Sequence, residues 1–295
     1  MTKLKLVFYG SCQVEAVCTM LKGMIRNFDD LFDTMVVTNW KYILQCKPLP
    51  TEIFDADVFI YQPFKSSSPN SEPYQSEPVI SRIRQNKTDV KTISYPFMNF
   101  AAYFPDYVSS KQYLPNDLKY PFGKFPLVHA DMISHLDVTN GTDGSHETIQ
   151  KCINDLHSDD FIPCETIQHW KERTFASSVK RDEECDVRVT EFIAKQYTRT
   201  RLFHTIEHPS NVLLMFVARQ VIDNLQSSLG ISFSIDIDFV PQKELLYDHT
   251  LPILPCVKKT LCLEFPLEQR WFKGSPVSLD DFAKAFYKEA NAHVT

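Results

Sequence analysis

No stretch of the sequence approaches the ~20 consecutive apolar residues that a membrane-spanning helix requires. The apolar stretch before Gly10 is also too short for a signal peptide, and it is better explained as a first strand. We therefore expect a cytoplasmic protein without a membrane span.

Clusters of Lys and Arg, which a surface that reads phosphates needs, are missing as well. The 31 basic residues are outnumbered by 37 acidic ones, and the formal net charge is −6. This balance argues against a nucleic-acid partner.

Cysteine pairs at metal-binding spacing are also absent. The eight cysteines are scattered, and most lie in apolar surroundings, as reduced core thiols do. His129, Asp131 and His135 form the one conceivable metal cluster, but their spacing fits no common zinc motif. We therefore predict neither a bound metal nor a disulfide framework.

Internal repeats and linkers are not evident in the 295 residues, and 43% of the residues are hydrophobic, enough for a sizeable core. We predict a single domain over residues 1–295, with residues 232–295 as a C-terminal extension packed on it.

What the chain does contain is an apolar run, Lys5 to Tyr9, followed by the tetrapeptide Gly-Ser-Cys-Gln at 10–13. Apolar residues then recur at helical spacing over 14–24, so the pattern predicts strand, tight turn and helix. Cys12 falls at the helix N-terminus, where the helix dipole favours a thiolate, as in a nucleophile elbow. The alternative is an ordinary core cysteine, which is our interpretation of Cys18.

Further strands are predicted at 33–38, 57–61, 91–95 and 201–205, with a Ser- and Pro-rich loop at 65–78 and a short helix at 79–84. Strands that alternate with helices predict an α/β fold with a mostly parallel sheet and helices on both faces. Ligands gather at the carboxyl ends of such strands. Three short segments fall at these ends of the predicted strands: residues 10–13, Gln62 and residues 96–99.

His208 follows the predicted strand 201–205 and precedes a strongly apolar helix over about 211–225. A histidine in this place is often a structural cap. Together with Cys12 at the same sheet edge, it is a candidate thiol–imidazole couple. In the helical segment 175–197 and just before it, Arg173, Lys180 and Arg181 are the best local candidates for holding phosphate.

The aromatic-rich segment from 95 to 120 either packs an irregular region or forms a wall that grips a ligand ring. Near the C-terminus, strands are predicted at 233–240 and 259–265. A final amphipathic helix is predicted after Ser278 as its cap.

Several stretches together resemble the WcbI-like polysaccharide biosynthesis proteins, coenzyme A-dependent acetyltransferases of the capsule pathway. Residues 9–13 look like the family's Gly-Asn-Cys-Gln, with Ser11 in place of Asn. Residues 60–63 and 95–105 are similar to its next two strand ends. Residues 202–211 resemble its Phe-x-Thr-x-Asn-His-Pro block, with Glu207 in place of Asn.

The resemblance implies a fold related to SGNH hydrolases, a flavodoxin-like three-layer α/β sandwich. In that fold the nucleophile follows the first strand, and the base lies in a late Asp-x-x-His-Pro block. Cys12 matches the first position and His208 the second. Thr205 stands where the hydrolases carry Asp, so either another group, such as Glu207 or a backbone carbonyl, orients the imidazole or the mechanism differs.

These observations predict a coenzyme A-dependent acyltransferase, an O-acetyltransferase in the simplest case, that acts on a hydroxyl of a sugar or polysaccharide precursor. Cys12 and His208 are the predicted catalytic residues. The predicted oxyanion or substrate contacts are Ser11, Gln13, Gln62 and Asn99. Coenzyme A phosphates would meet Arg181, which matches the family, and more weakly Arg173 and Lys180.

Two alternatives use the same residues differently. One is an esterase or thioesterase with water as the acceptor. The other is a non-catalytic protein that binds coenzyme A or a sugar on a degenerate SGNH-like scaffold. The sequence leaves open the acceptor, the acyl group, and the choice between covalent and direct transfer.

Overall fold

The computed structural model describes residues 2–67, 69–105, 107–109, 127–129, 146–247, 250–267, 270–271, 275–276, 278–281 and 283–284. The chain divides into two compact units that are each assembled from three segments. The first unit comprises Met1–Met98, Ala176–Ala194 and Pro209–Leu245. The second comprises Asn99–Phe175, Lys195–His208 and Leu246–Thr295. Residues 232–295 are therefore shared between the two units, and the predicted single domain stays a prediction.

The described elements follow each other in chain order, with short 3₁₀ helices at Thr51–Asp55, Pro69–Tyr74 and Ala101–Tyr103. The strands are β1 (Leu4–Gly10), β2 (Phe32–Thr38), β3 (Val58–Tyr61), β4 (Lys91–Ser94), β5 (Tyr107–Ser109), β6 (Leu127–His129), β7 (Phe203–Thr205), β8 (His208–Pro209), β9 (Arg270–Trp271) and β10 (Ser275–Pro276). The helices are α1 (Gln13–Met24), α2 (Phe28–Leu31), α3 (Asn39–Gln45), α4 (Ser76–Asn86), α5 (His146–Leu156), α6 (Cys164–Glu183), α7 (Thr190–Gln196), α8 (Asn211–Leu229) and α9 (Pro255–Thr260).

The first unit is built on a parallel sheet of four described strands in the order β2-β1-β3-β4. Leu6 to Tyr9 of β1 are completely buried, as expected for a central parallel strand that is covered on both faces. The register places Tyr9 beside Tyr61, and Tyr61 beside Ser94. The carboxyl ends of β1, β3 and β4 therefore meet at one edge, which confirms the predicted α/β fold with a mostly parallel sheet.

Helices pack on the sheet of the first unit. Helix α1 contacts β1 and also α8, which in turn contacts β4. Tyr9, Val37 and Phe59 of the sheet share a separate apolar cluster with Ile53 and with buried residues of α4. Such burial is the main favourable contribution to the stability of this unit.

The predicted strand over 201–205 forms only in part, as β7, and the expectation that it joins the parallel sheet is wrong. Among the described strands, β7 pairs with the two-residue β8, and it belongs to the second unit. Phe203, His204 and Thr205 are all buried, and burial alone does not distinguish this strand from a strand of the main sheet.

The other two predicted C-terminal strands are also wrong. Residues 233–240 are irregular and make one isolated bridge, Ile25 with Ile235. Residues 259–265 overlap the end of α9, which starts with Pro255 at its first turn, where proline is well tolerated. Leu261, Leu263 and Phe265 are buried alternately in a segment that begins with a turn, in which Cys262 has a φ of +52°.

Two helical regions differ in extent from the prediction. Helix α4 begins at Ser76, inside the predicted loop, and α6 begins at Cys164, well before the predicted helical segment. Near the C-terminus, the Ser278 hydroxyl accepts a 3.0 Å hydrogen bond from the Asp281 N–H, as expected for the predicted N-cap. Most of the helix predicted after it lies outside the described residues.

The aromatic residues of the second unit that are described form a packed core. Phe100 stacks on Phe203 with ring centroids 5.5 Å apart, and it meets Tyr103 edge-on at 4.7 Å. The Tyr107 hydroxyl donates a 2.9 Å hydrogen bond to the Pro252 carbonyl. This arrangement favours the packing interpretation over a ligand-gripping wall for these residues, while Tyr113 and Tyr120 lie outside the described residues.

Candidate functional site

The turn between β1 and α1 is shaped by Gly10. This residue has a φ of +156°, and a Cβ atom there would lie 2.9 Å from both Gln62 Oε1 and Val14 Cγ1. A side chain at position 10 would therefore collide with Gln62, so glycine is needed for this close approach.

Cys12 is the N-cap residue of α1, in the place that the sequence predicts. Its backbone already has helical dihedrals, with φ −56° and ψ −22°, and its side chain makes no capping hydrogen bond. The residue is partly exposed, whereas Cys18, on the same helix, is buried. The Cys12 residue is therefore accessible to solvent and lies at the positive end of the dipole of a twelve-residue helix.

The Gln62 side chain joins the end of β3 to the Cys12 turn. Gln62 Oε1 accepts hydrogen bonds from the Ser11 hydroxyl at 2.6 Å and from the Ser11 N–H at 3.0 Å. Gln62 Nε2 donates to Gln13 Oε1 at 2.8 Å and to the Pro96 carbonyl at 3.4 Å. The Gln62 amide, which follows β3, therefore contacts the segments that follow two neighbouring strands, β1 and β4.

Gln13 extends this connection to the segment after β4. Its Nε2 donates to the Met98 carbonyl at 2.7 Å, and its Oε1 accepts from the Met98 N–H at 3.1 Å. Gln13 is fully buried and Gln62 is 3% exposed. Because both amide hydrogens of Gln62 already have acceptors, the geometry favours a bracing role for it, and the predicted oxyanion contact stays a prediction.

Tyr95 follows β4 directly and is fully buried beside this turn. Burial raises the pKa of Tyr95 well above its ordinary value, and the nearby Cys12 and Cys18 thiols raise that pKa further. Burial also raises the pKa of the Cys18 thiol to about 11. From the sequence, Tyr95 is predicted as the last residue of the strand 91–95 and as one of the clustered aromatic residues, without a role in the site.

The second unit holds His208, in β8. Its side chain is 7% exposed, and its chain neighbour Glu207 has a raised pKa because of burial. The Glu207 N–H donates to Thr205 Oγ1 at 3.3 Å, so the Thr205 hydroxyl accepts a hydrogen bond from its own turn. Cys12 lies in the first unit, and the predicted coupling of the two residues stays a prediction.

Hydrogen bonds of Asn211 hold the start of α8. The Asn211 N–H donates to Glu244 Oε2 at 2.8 Å, and the Asn211 side chain bonds the Lys243 carbonyl and the Leu245 N–H. A carboxylate at a helix N-terminus is favourable. Glu244 therefore satisfies one of the free N–H groups at the start of α8, and the capping interpretation of His208 stays open.

The three predicted phosphate-binding cations all lie on α6 but not in the same unit. Arg181 Nη1 donates to Ser177 Oγ at 2.7 Å, and partial burial lowers the pKa of Arg181. Lys180 beside it is exposed. Arg173 lies in the second unit, with its guanidinium 5.5 Å from the centre of the Trp170 ring. Asn99, the last of the predicted substrate contacts, is partly buried at the start of the second unit.

An open pocket lies at the carboxyl end of β3, with an empty volume of about 440 Å³. Tyr61 and Phe64 form part of its lining, and an ion pair of 3.1 Å between Lys65 and Glu184 lies beside them. The edge of the sheet that carries the Cys12 turn therefore also carries a concave surface.

No group of three or more His, Cys, Asp or Glu side chains that could hold a metal occurs in the described part of the chain. Of the conceivable cluster in the sequence, His129 is in β6, while Asp131 and His135 lie outside the described residues. None of the described helices is long and apolar enough to cross a membrane.

Comparison with known proteins gives a family and a fold. The family profile of the polysaccharide biosynthesis enzyme WcbI matches residues 5–229. The solved structure of a WcbI superposes with a TM-score of 0.67 at 21% sequence identity, over 99% of this chain and 92% of that one. It is described as the native protein without a disulfide bond between coenzyme A and one of its cysteines. No curated protein matches the chain significantly.

Proposed function

Because the chain belongs to the WcbI family of polysaccharide biosynthesis enzymes, we propose that it is a coenzyme A-dependent acyltransferase with a hydroxyl of a sugar or polysaccharide precursor as its acceptor. The position of Cys12 carries the proposal: a partly exposed thiol at a helix N-terminus, at the edge where three parallel strands end. The related WcbI, which is described in connection with coenzyme A and a cysteine, supports this choice of cofactor.

In the covalent route, the Cys12 thiolate attacks the carbonyl carbon of the acyl thioester. The bond between that carbon and the coenzyme A sulfur breaks, and coenzyme A leaves as a thiolate that takes up a proton. The acceptor hydroxyl then attacks the acyl-cysteine, His208 takes the hydroxyl proton, and the Cys12 thiolate is released. The backbone N–H groups at the start of α1 suit the oxyanion of each addition step.

In the direct route, His208 removes the proton from the acceptor hydroxyl, which attacks the coenzyme A thioester itself. Cys12 then only lines the site. Both routes need the imidazole of His208 to reach the reacting atoms, directly or through one water. They differ in whether an acyl group is ever attached to Cys12.

A titration with coenzyme A tests the proposal. We expect calorimetry to show saturable binding, and coenzyme A disulfide to form a mixed disulfide that mass spectrometry locates at Cys12. Cys12→Ser should abolish the adduct but keep binding. No binding at millimolar coenzyme A would overturn the proposal and leave an ester hydrolase as the candidate.

Coenzyme A phosphates provide a second, independent readout. Arg181 is the family-matched cation, so Arg181→Met should weaken coenzyme A binding about tenfold, as expected for one charge-assisted hydrogen bond. Lys180→Met is the matched control, because Lys180 is adjacent and more exposed. Equal effects of the two substitutions would indicate general electrostatic attraction rather than a phosphate contact at Arg181.

One observation favours a second candidate, a non-catalytic protein that binds coenzyme A. Thr205 stands at the position where SGNH hydrolases carry Asp. Its hydroxyl accepts a hydrogen bond from the Glu207 N–H. This candidate would be supported if acetyl-coenzyme A binds to the protein, is not turned over, and does not transfer its acetyl group to Cys12.

A further inference from the structure

The open pocket at the carboxyl end of β3 lies wholly within the first unit, because every residue that lines it belongs to that unit. Its walls are the segment that follows β3, the start of α4 at residues 75–77, and Glu184. Ligands of open parallel sheets bind outside the carboxyl ends of the strands. The pocket therefore lies where this fold places a ligand, and the steps proposed for Cys12 and His208 do not use it.

Hydrogen bonds hold the walls of this pocket in place. Ser76 Oγ accepts from the Phe64 N–H at 2.8 Å, and the Ser76 N–H donates to the Phe64 carbonyl at 3.1 Å. Gln75 Nε2 donates to the Ser66 carbonyl at 2.8 Å. The loop after β3 is thus bonded to the start of α4 at three points, so a ligand meets a surface that is already formed.

The pocket wall is also connected to the Cys12 turn, through Gln62. The Gln62 carbonyl accepts a 3.3 Å hydrogen bond from Ser76 Oγ, and Gln62 Oε1 accepts one of 2.6 Å from Ser11 Oγ. A single residue therefore separates Ser76, in the wall of the pocket, from Ser11, the chain neighbour of Cys12.

Two aromatic side chains form the apolar part of the lining. The Tyr61 ring stacks on the Phe59 ring with centroids 5.4 Å apart, and this contact fixes its orientation. Phe64 is partly buried against the same apolar cluster as Tyr61. The pocket thus presents flat rings that the neighbouring core holds in place.

The polar part of the lining carries an excess of negative charge. Glu77 and Glu184 are exposed carboxylates, and Lys65, the cation among the lining residues, is paired with Glu184 at 3.1 Å. Burial raises the pKa of Tyr61, and the charges of Glu77 and Asp186 raise that pKa further. The negative field therefore extends to the aromatic wall.

This combination suits a sugar ring and disfavours an anion. One face of a pyranose is made of C–H groups that pack against an aromatic ring, and its hydroxyls donate hydrogen bonds to carboxylates. Because the pocket is open, the other hydroxyls stay hydrated. A phosphate or a sugar acid would instead face Glu77, while Lys65 is already paired with Glu184. The lining is therefore unsuited to the phosphates of coenzyme A.

We propose that this pocket binds a pyranose ring without an acidic group and is the subsite for the acceptor sugar. Tyr61 and Phe64 contact one face of the ring, and Glu77 accepts hydrogen bonds from its hydroxyls. The inference rests on the proposed function, which makes a sugar the acceptor, but the binding itself requires no coenzyme A.

Saturation-transfer NMR with the methyl glycosides of glucose, galactose and mannose tests the site without coenzyme A. We expect at least one of them to bind saturably with a millimolar Kd. The corresponding methyl uronide should bind about tenfold more weakly, because its carboxylate is repelled by Glu77. Glu77→Ala should weaken binding of the hexoside about tenfold, as expected for a lost hydrogen bond to a charged group, and should reduce the preference over the uronide.

Glu165→Ala is the matched control, because Glu165 is an exposed glutamate in the first turn of α6 and lies in the second unit. It should leave hexoside binding unchanged. Phe64→Leu keeps an apolar side chain but removes the flat ring, so it should weaken hexoside binding severalfold. Urea unfolding checks that each variant is folded. If Phe64→Leu does not fold, Glu77→Ala at its exposed position still tests the site.

Three outcomes would overturn the inference. They are no binding of any of the three hexosides, hexoside binding that Glu77→Ala leaves unchanged, and equal affinity for a hexoside and its uronide. Coenzyme A binding, measured separately, should survive Glu77→Ala. Failure of the unmodified protein to bind coenzyme A, with hexoside binding intact, would overturn the proposed function but not the sugar site.

Discussion

Gln62 Nε2 lies 2.8 Å from Gln13 Oε1, and this hydrogen bond connects the end of β3 to the first residue of α1. The two side chains also form hydrogen bonds with Ser11, Pro96 and Met98, on the sides that face away from this central contact. The direction of each bond is therefore fixed, because reversing one amide would place oxygen against oxygen.

Gln62→Glu tests this bracing role with an almost isosteric change. A carboxylate oxygen would face Gln13 Oε1 and the Pro96 carbonyl, so we expect a loss of about 1–3 kcal/mol in the free energy of unfolding at pH 7. The loss should shrink at acidic pH, where a protonated carboxyl can donate again. Urea unfolding measures it, with Gln85→Glu on the exposed face of α4 as control. Equal stability of the two variants would contradict the bracing role.

Cysteine reactivity should separate Cys12 from Cys18. Burial raises the pKa of Cys18 to about 11, so its thiolate is scarce at pH 8 and becomes abundant only above about pH 11. Iodoacetamide at pH 8 should therefore label Cys12 and the exposed Cys46 and Cys262 while sparing Cys18. Labelling of Cys18 as fast as Cys46 would contradict the burial of the apolar face of α1.

His208 should act on the acceptor step of the covalent route. With acetyl-coenzyme A alone, intact-mass spectrometry should detect an acetyl group on Cys12 that water removes slowly. His208→Ala should slow this removal by about 10²-fold, the usual scale for a general base. His169→Ala, an exposed histidine on α6, serves as control and should behave like the unmodified protein. A folded His208→Ala protein with an unchanged removal rate would exclude His208 as the base.

Gly23 provides a test of packing in the first unit. A Cβ atom at this position of α1 would overlap the ring of Phe239, so Gly23→Ala should destabilise the protein by about 1–3 kcal/mol. In a Phe239→Ala background the same substitution should cost much less, and a double-mutant cycle measures the difference. Additive effects would show that Phe239 is not the group that limits the space at Gly23.

The strands β1, β3 and β4 could be predicted because Gly or Pro marks where each ends: β1 ends at Gly10, Pro63 lies two residues after β3, and Pro96 lies two residues after β4. Strand β2 has no such marker and ends at Thr38. The strand β7 shows the limit of this reasoning. Its residues report burial, but the identity of its pairing partner depends on contacts that no local pattern encodes. Helix α6 was predicted only in its second half because its first turns, from Cys164, are mostly polar and carry a weak apolar period.

The sequence allowed several residues of the candidate site to be chosen, but it did not predict the hydrogen bonds that each of them forms. Gln13 and Gln62 were chosen because they follow strands, yet their bonds to each other join positions 49 residues apart. The direction of an amide in such a bond depends on all of its neighbours together. The buried Tyr95 hydroxyl, which has no hydrogen-bond partner in the described part of the chain, could not be predicted either, because a missing bond becomes visible only when the surrounding atoms are placed.

The segmented composition of the first unit has a consequence for synthesis on the ribosome. Its sheet is complete once β4 has emerged, but α8, which packs against β4 and α1, follows only after the chain has passed through much of the second unit. At about 5–20 residues per second, this delay lasts on the order of ten seconds. During that interval the part of the sheet and of α1 that α8 covers in the folded protein stays exposed to solvent.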